Sequence, residues 1–297
     1  MKKKELFAIS LLSILVFVSF ANVAVAAPPS YVGVKKGDTY IWRASLNTVN
    51  LNTTAIALVG EDNWTLMYEL FLAYFENSTG MEFDFLSGAG MKAVIQNVTD
   101  EIYPFMPGVN ASGCFFDFYI SYAANNWTLQ TEAANETSPM VYFVDPSALN
   151  ESTIMYSMTG MPIFMSKGFK YDMFVSEYQS IIASNPYTSG NITITVQGNG
   201  FKIVYKAAIL EYLFESLLGA PIEIGTLKDA EITLRWNSNG VFDKGSLVYG
   251  GLELATAYLE TDDEFFIPGY ELVTILGVSF VTFIALVYTI KKKKILK

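Results

Sequence analysis

Histidine is absent from this chain of 297 residues and cysteine occurs once, as Cys114. Without an imidazole there is no Ser-His-Asp triad, no histidine-ligated zinc and no proximal-histidine haem. One thiol makes neither an internal disulfide nor a multi-cysteine cluster. Cys114 lies beside Phe115 and Phe116, which reads as a small buried hydrophobe rather than a nucleophile. Carboxylates remain. Asp100 with Glu101, Asp117, and Asp229 with Glu231 could in principle act as an acid–base pair of the glycosidase kind. Asp262, Asp263 and Glu264 form an acidic knot suited to a hard cation such as calcium, with a solvated stalk as the plainer reading. Gly88-Ala89-Gly90-Met91-Lys92-Ala93 has the glycine spacing of a dinucleotide loop, but the residues after it alternate like a strand where that loop would open a helix. The sequence therefore predicts no catalytic residues and no cofactor, with a carboxylate-dependent hydrolase as the enzymatic alternative.

The asparagines carry more information. Nine of seventeen stand in Asn-x-Ser/Thr: Asn52, Asn63, Asn77, Asn97, Asn110, Asn126, Asn135, Asn150 and Asn191. That excess predicts a glycosylated, extracellular domain. The neighbours of Asn97 look like a buried strand, which makes it the least expected acceptor. A secreted eukaryotic domain of this size would usually carry paired cysteines, so the lone Cys114 favours an archaeal source.

Both ends explain the exterior location. Lys2, Lys3 and Lys4, an apolar run from Leu6 to Phe20, and Ala24-Val25-Ala26 form the three parts of a secretory signal, with cleavage expected after Ala26. No cysteine lies near this site, which argues against a lipoprotein. At the other end, Leu272 to Ile290 has no charge and as a helix is about 28 Å long, enough to cross a bilayer. Lys291, Lys292, Lys293 and Lys294 follow and mark the cytoplasmic side. The expected organisation is thus signal peptide 1–26, extracellular domain 27–264 (one unit or two), juxtamembrane segment 265–271, membrane helix 272–290 and basic tail 291–297.

Just before that helix stand Pro268, Gly269 and Tyr270. With the apolar helix and the lysines, they resemble the archaeal PGF-type C-terminal sorting signal, in the Pro-Gly-Tyr form common in exported proteins of Asgard (Lokiarchaeal) archaea. The resemblance covers about the last 32 residues. It implies a surface protein held at its stalk end, with the helix retained or exchanged for lipid by a sorting enzyme. Tyr270 stands where the best-characterised signal has Phe. A Pro-Gly turn with Tyr270 in the aromatic belt accounts for the same residues.

The remaining pattern indicates the scaffold. Gly37-Asp38 feeds a strand with Tyr40, Trp42, Ala44 and Leu46 on one face; Met81–Leu86, Met91–Val98, Phe115–Tyr122 and Trp127–Thr131 also alternate. Ile192–Val196 and Phe201–Tyr205 form a hairpin around Gly198, and Ala230–Trp236, Val241–Tyr249 and Leu252–Leu259 form a meander. Apolar stripes predict helices through Met67, Leu70, Phe71, Tyr74 and Phe75, through Phe174, Tyr178, Ile181 and Ile182, and through Ile209, Leu210, Leu213, Phe214 and Leu217. Asp145-Pro146 predicts the start of a short helix toward Met158. The fold class is α+β, mainly antiparallel, plus the membrane helix.

Charge divides by region. Residues 28–270 hold 11 basic and 27 acidic side chains, which argues against a nucleic-acid binder. The expected role is interaction or binding at the membrane surface, with envelope proteins or cell-surface ligands as partners. Aromatics and Met155, Met158, Met161 and Met165 leave an alternative, a hydrophobic ligand between sheet and helices.

Overall fold

A computed structural model describes residues 28–79, 90–121, 126–158, 163–218 and 226–260. The signal peptide, the Met81–Leu86 strand, Met161, the 262–264 knot, the Pro-Gly-Tyr segment, the membrane helix and the basic tail lie outside these residues. Among the described residues no helix is long and apolar enough to cross a membrane.

Ten strands form one antiparallel sheet. They are β1 (Thr39–Leu46), β2 (Gly90–Ile102), β3 (Asn110–Ser121), β4 (Thr128–Thr131), β5 (Val141–Val144), β6 (Ile192–Val196), β7 (Gly200–Tyr205), β8 (Ala230–Trp236), β9 (Phe242–Tyr249) and β10 (Leu252–Leu259). The order is β4-β3-β2-β1-β10-β9-β8-β7-β6, and β5 shares the outer edge of β3 with β4. The meander and hairpin read from alternation are β6 through β10. β1 closes the sheet by pairing with the late strand β10, Trp42 opposite Leu259. The turn into β9 depends on Gly240. It has φ +73°, and a Cβ there would stand 1.9 Å from the Met165 carbonyl oxygen. That close approach lets Met165 N–H donate to Gly240 O at 2.7 Å.

One sheet face is the core. Trp42, Met91, Ile95 and Phe116 lie on it, all buried, and the Trp42 indole N–H donates to Phe242 O at 2.8 Å. Helix α3 (Tyr171–Ser184) packs on β6 and β7. Its buried stripe is Phe174, Val175 and Ile182, whereas Ile181, expected inward, is 53% exposed. The substitution of Val175 for Ile181 shifts the apolar stripe by one flank of the helix.

Two other elements differ from expectation. Asp145 does cap a helical start, accepting from Ser147 N at 2.8 Å, but the result is a single 3-10 turn, Pro146–Ala148. The chain then drops Leu149 into the core before a second 3-10 segment, Ile154–Met158. Helix α1 (Thr48–Val59) has no strong sequence signal. It is set by Asn47, whose side chain accepts from Asn50 N, and by packing against β10. Helices α2 (Glu61–Thr79) and α4 (Ala207–Leu218) stand where periodicity places them. The side chains of the α2 stripe, and of Leu213, Phe214 and Leu217 in α4, lie outside those described.

Candidate functional site

The expected sugar acceptors are the first residues to locate. Asn52, Asn97, Asn110, Asn126, Asn135 and Asn150 are exposed, Asn63 and Asn191 are half-buried, and the Asn77 side chain is outside the described set. Asn97 stands in β2, as its neighbours suggest, but a bulge between Ile95 and Asn97 turns its side chain out of the core, and it is exposed. Sugar attaches at the amide nitrogen. In Asn52 it is the oxygen that is occupied, accepting from Trp64 Nε1 at 3.0 Å. In Asn63 and Asn191 the nitrogen itself donates, to Val59 O and Tyr187 O.

No acceptor falls after Asn191, so strands β7 to β10 carry none. Their outer face, opposite the core, is polar and built in rows of cross-strand neighbours. One row runs Thr195, Lys202, Thr233, Ser246, Thr256, Ser45. The next runs Arg235, Lys244, Tyr258, Arg43. Period-two alternation places these side chains on one side because β6 to β10 and β1 keep register through their pairing.

The second row ends in a cation–aromatic cluster. Arg43 Nε is 2.7 Å from Glu260 Oε2, and the Arg43 side chain is only 9% exposed. Its guanidinium lies 5.3 Å from the Trp127 ring centroid. Lys92 Nζ sits 5.0 Å from the same ring and 4.2 Å from that of Tyr119. Gly90 makes room for this stack, since a Cβ there would meet Trp42 O at 2.9 Å and Trp127 at 3.2 Å. Stacking over an aromatic face offsets part of the cost of burying a cation.

The core face has its own irregularity. A large apolar cluster surrounds Trp42, Phe116 and Phe164, and a small one joins Leu58, Leu210, Ala230, Tyr249 and Leu254. Between them, on one row, Ile203 packs on the large cluster and Leu247 on the small one. Ile232 lies between these two, half-buried and in neither cluster. Met165 is buried, and Met155 and Met158 pack on the large cluster.

The chemical candidates are each held by structural partners. Asp100 accepts from Ser112 Oγ at 3.3 Å and Glu101 from Thr99 at 3.0 Å. Asp117 accepts from Gln96 Nε2 and Ala133 N. Glu231 pairs with Lys202 at 3.0 Å. Asp229 accepts from Lys206 Nζ at 2.7 Å and Ala207 N at 3.0 Å, and these bonds hold its carboxyl below the ordinary range. Burial pushes the Cys114 thiol up to about 12, so it is not a nucleophile at neutral pH. Gly90 to Ala93 open β2, a strand where a dinucleotide loop would open a helix; Gly88 and Ala89 lie outside the described residues. Among the described residues no three His, Cys, Asp or Glu side chains could hold a metal ion.

No protein-family model matches the sequence, and comparison with curated proteins gives no match. Among solved structures, the bifunctional dehydratase-cyclase domain in ambruticin biosynthesis is similar over 76% of this chain and 92% of that one, at 10% identity and a TM-score of 0.18. A likeness of that size carries no argument about fold or activity.

Proposed function

We propose that the chain is a glycosylated, single-pass surface protein of an archaeal envelope, and that its acidic domain works by binding rather than catalysis. The binding surface is the outer face of β7 to β10. What supports this is the distribution of acceptors: all nine precede residue 192, and the outer face of the sheet carries one at Asn97 on β2 but none on β7 to β10. A bulky, hydrated glycan beside a contact surface obstructs it, so the stretch without acceptors is the part open to a partner. The signal-like start, the uncharged run 272–290 and the lysines after it support a partner outside the cell.

The test is to put a sugar there. Glu231→Asn creates an acceptor ahead of Thr233 on the outer face of β8. Glycosylation at 231, verified by peptide mass, should reduce binding of the protein to envelopes of its source cells at least tenfold. Asn135→Gln should leave that binding unchanged. Equal binding by the two variants would sink the reading.

A second reading has its own support. Among the described residues Ile232 is half-buried and flanked on its row by two apolar clusters, a place that a lipid chain would cover. Co-purifying lipid in native mass spectrometry, lost in Ile232→Trp, is the expected result. A lipid-free wild-type protein counts against it.

A further inference from the structure

We propose that the row through Arg235 and Lys244 binds a linear acidic polysaccharide, one bearing a carboxylate or sulfate at regular intervals. This rests on the reading of β7 to β10 as the binding face and names its ligand. The chain has only two arginines, Arg43 and Arg235, and both fall in this one row, with Lys244 and Tyr258 between them. Arg235 and Lys244 are directly opposed on β8 and β9 and both exposed. Neither has a carboxylate partner among the described residues, although residues 28–270 hold 27 acids for 11 bases. Like charges directly opposite each other destabilise a strand pair. An exposed pair of this kind, with no acid paired to it among the described residues, is a cost to folding that an anionic ligand would remove.

The spacing argues for a polymer. Neighbouring strands are about 4.8 Å apart, so the cations are strung along a line across the strands. A single compact phosphate would need them converging on one point. Beyond Tyr258 the row ends at Arg43, which is buried against Trp127 and paired with Glu260, so the exposed cations of the row are Arg235 and Lys244. The domain's overall negative charge does not forbid this. At physiological salt, charges more than about 8 Å away are largely screened, so the nearest cations decide.

The experiment uses the full chain in nonionic detergent, with alginate, a linear polyuronate, as probe and neutral dextran as reference. Alginate should bind, weaken as salt is raised, and lose at least tenfold in affinity in Arg235→Gln/Lys244→Gln. Lys35→Gln/Lys36→Gln removes the same charge from another exposed site and should stay within twofold of wild type. Thermal melting checks that both variants fold, and Lys244→Gln alone gives a milder version of the same comparison. No binding of alginate, equal binding of dextran, or equal loss in the two double variants would overturn the proposal. Displacement of alginate by glycerol phosphate at low concentration would overturn it in favour of a lipid headgroup. Self-association abolished by Arg235→Gln/Lys244→Gln without polysaccharide would do so in favour of a second copy. If alginate fails while glycosylation at 231 still blocks envelope binding, only the ligand class is wrong; if both fail, the binding face itself is.

Discussion

The sheet has two unlike halves. In the first, β2 and β3 put Met91, Ala93, Ile95 and Phe116 into a core that leaves them at most 1% exposed. The acceptors Asn97, Asn110 and Asn126 stand on or beside the same strands. In the second, β7 to β9 bury Phe201, Trp236, Phe242 and Tyr249 but leave Ile203, Ile232, Leu234 and Leu247 half-buried on the core face, with no acceptor on the outer one. Two of the three described ion pairs, Lys202–Glu231 and Lys206–Asp229, belong to this second half, and both are well exposed. The difference predicts that truncations on the core face cost more in the first half than in the second.

Side-chain truncation separates the two halves by the largest margin. Phe116→Ala empties a fully buried site and should cost about 3–5 kcal/mol of unfolding free energy. Ile232→Ala removes a side chain that water already reaches in part, and should cost about 1 kcal/mol. Urea unfolding of both variants measures the contrast. Equal losses would show that the second half is as tightly packed as the first.

The ion pairs give a smaller effect in the same direction. Glu260→Ala leaves the Arg43 guanidinium beneath Trp127 without its carboxylate, at a cost of about 3 kcal/mol. Arg43→Met should be much milder, because the charge leaves with its partner's attraction. On the bare half, Glu231→Ala breaks a pair whose members are each more than a third exposed, for about 0.5 kcal/mol or less. Raising salt should shrink the Glu231 effect and hardly touch that of Glu260. A Glu231 effect as large as that of Glu260 would mean that the outer face of β8 is covered.

Much of this scaffold is legible in sequence because it is local. Alternation gives β1 with Trp42 inward, and Gly198 and Gly240 mark the turns on either side of β7 and β8. What escapes is tertiary. Helix α1, rich in Thr and Asn, exists because β10 offers a surface to pack on. The bulge that exposes Asn97 arises from its pairing with β3, and the two-residue window around it looks like buried strand. The cation row is invisible for a stronger reason. Arg43, Arg235 and Lys244 are separated by up to 201 positions in the chain, and only the successive pairings of β8 with β9, β9 with β10 and β10 with β1 set them in one row. The 262–264 carboxylates, by contrast, are adjacent in sequence and so visible as a cluster at once, with a solvated stalk as their plainer reading.

The smallest predicted effect compares one device used in both halves. Asp117 of β3 accepts from Ala133 N at the start of a 3-10 turn, and Asp229, just before β8, accepts from Ala207 N at the start of α4. Asp229 is additionally bonded by Lys206, and its carboxyl is held below the ordinary range chiefly by that bond. A depressed carboxylate stabilises the fold above its unfolded value, near pH 4, and the contribution disappears as pH falls through the lower folded value. Both partners are nearly half exposed, so water screens the pair and Asp229→Ala should cost only about 0.5 kcal/mol at pH 7. At pH 2 to 3 the wild type loses this advantage, and the two melting curves should converge. Persistence of the gap in acid would assign it to packing of α4 rather than to charge, and would place more of the second half's stability in its core than the half-burial of Ile232 allows.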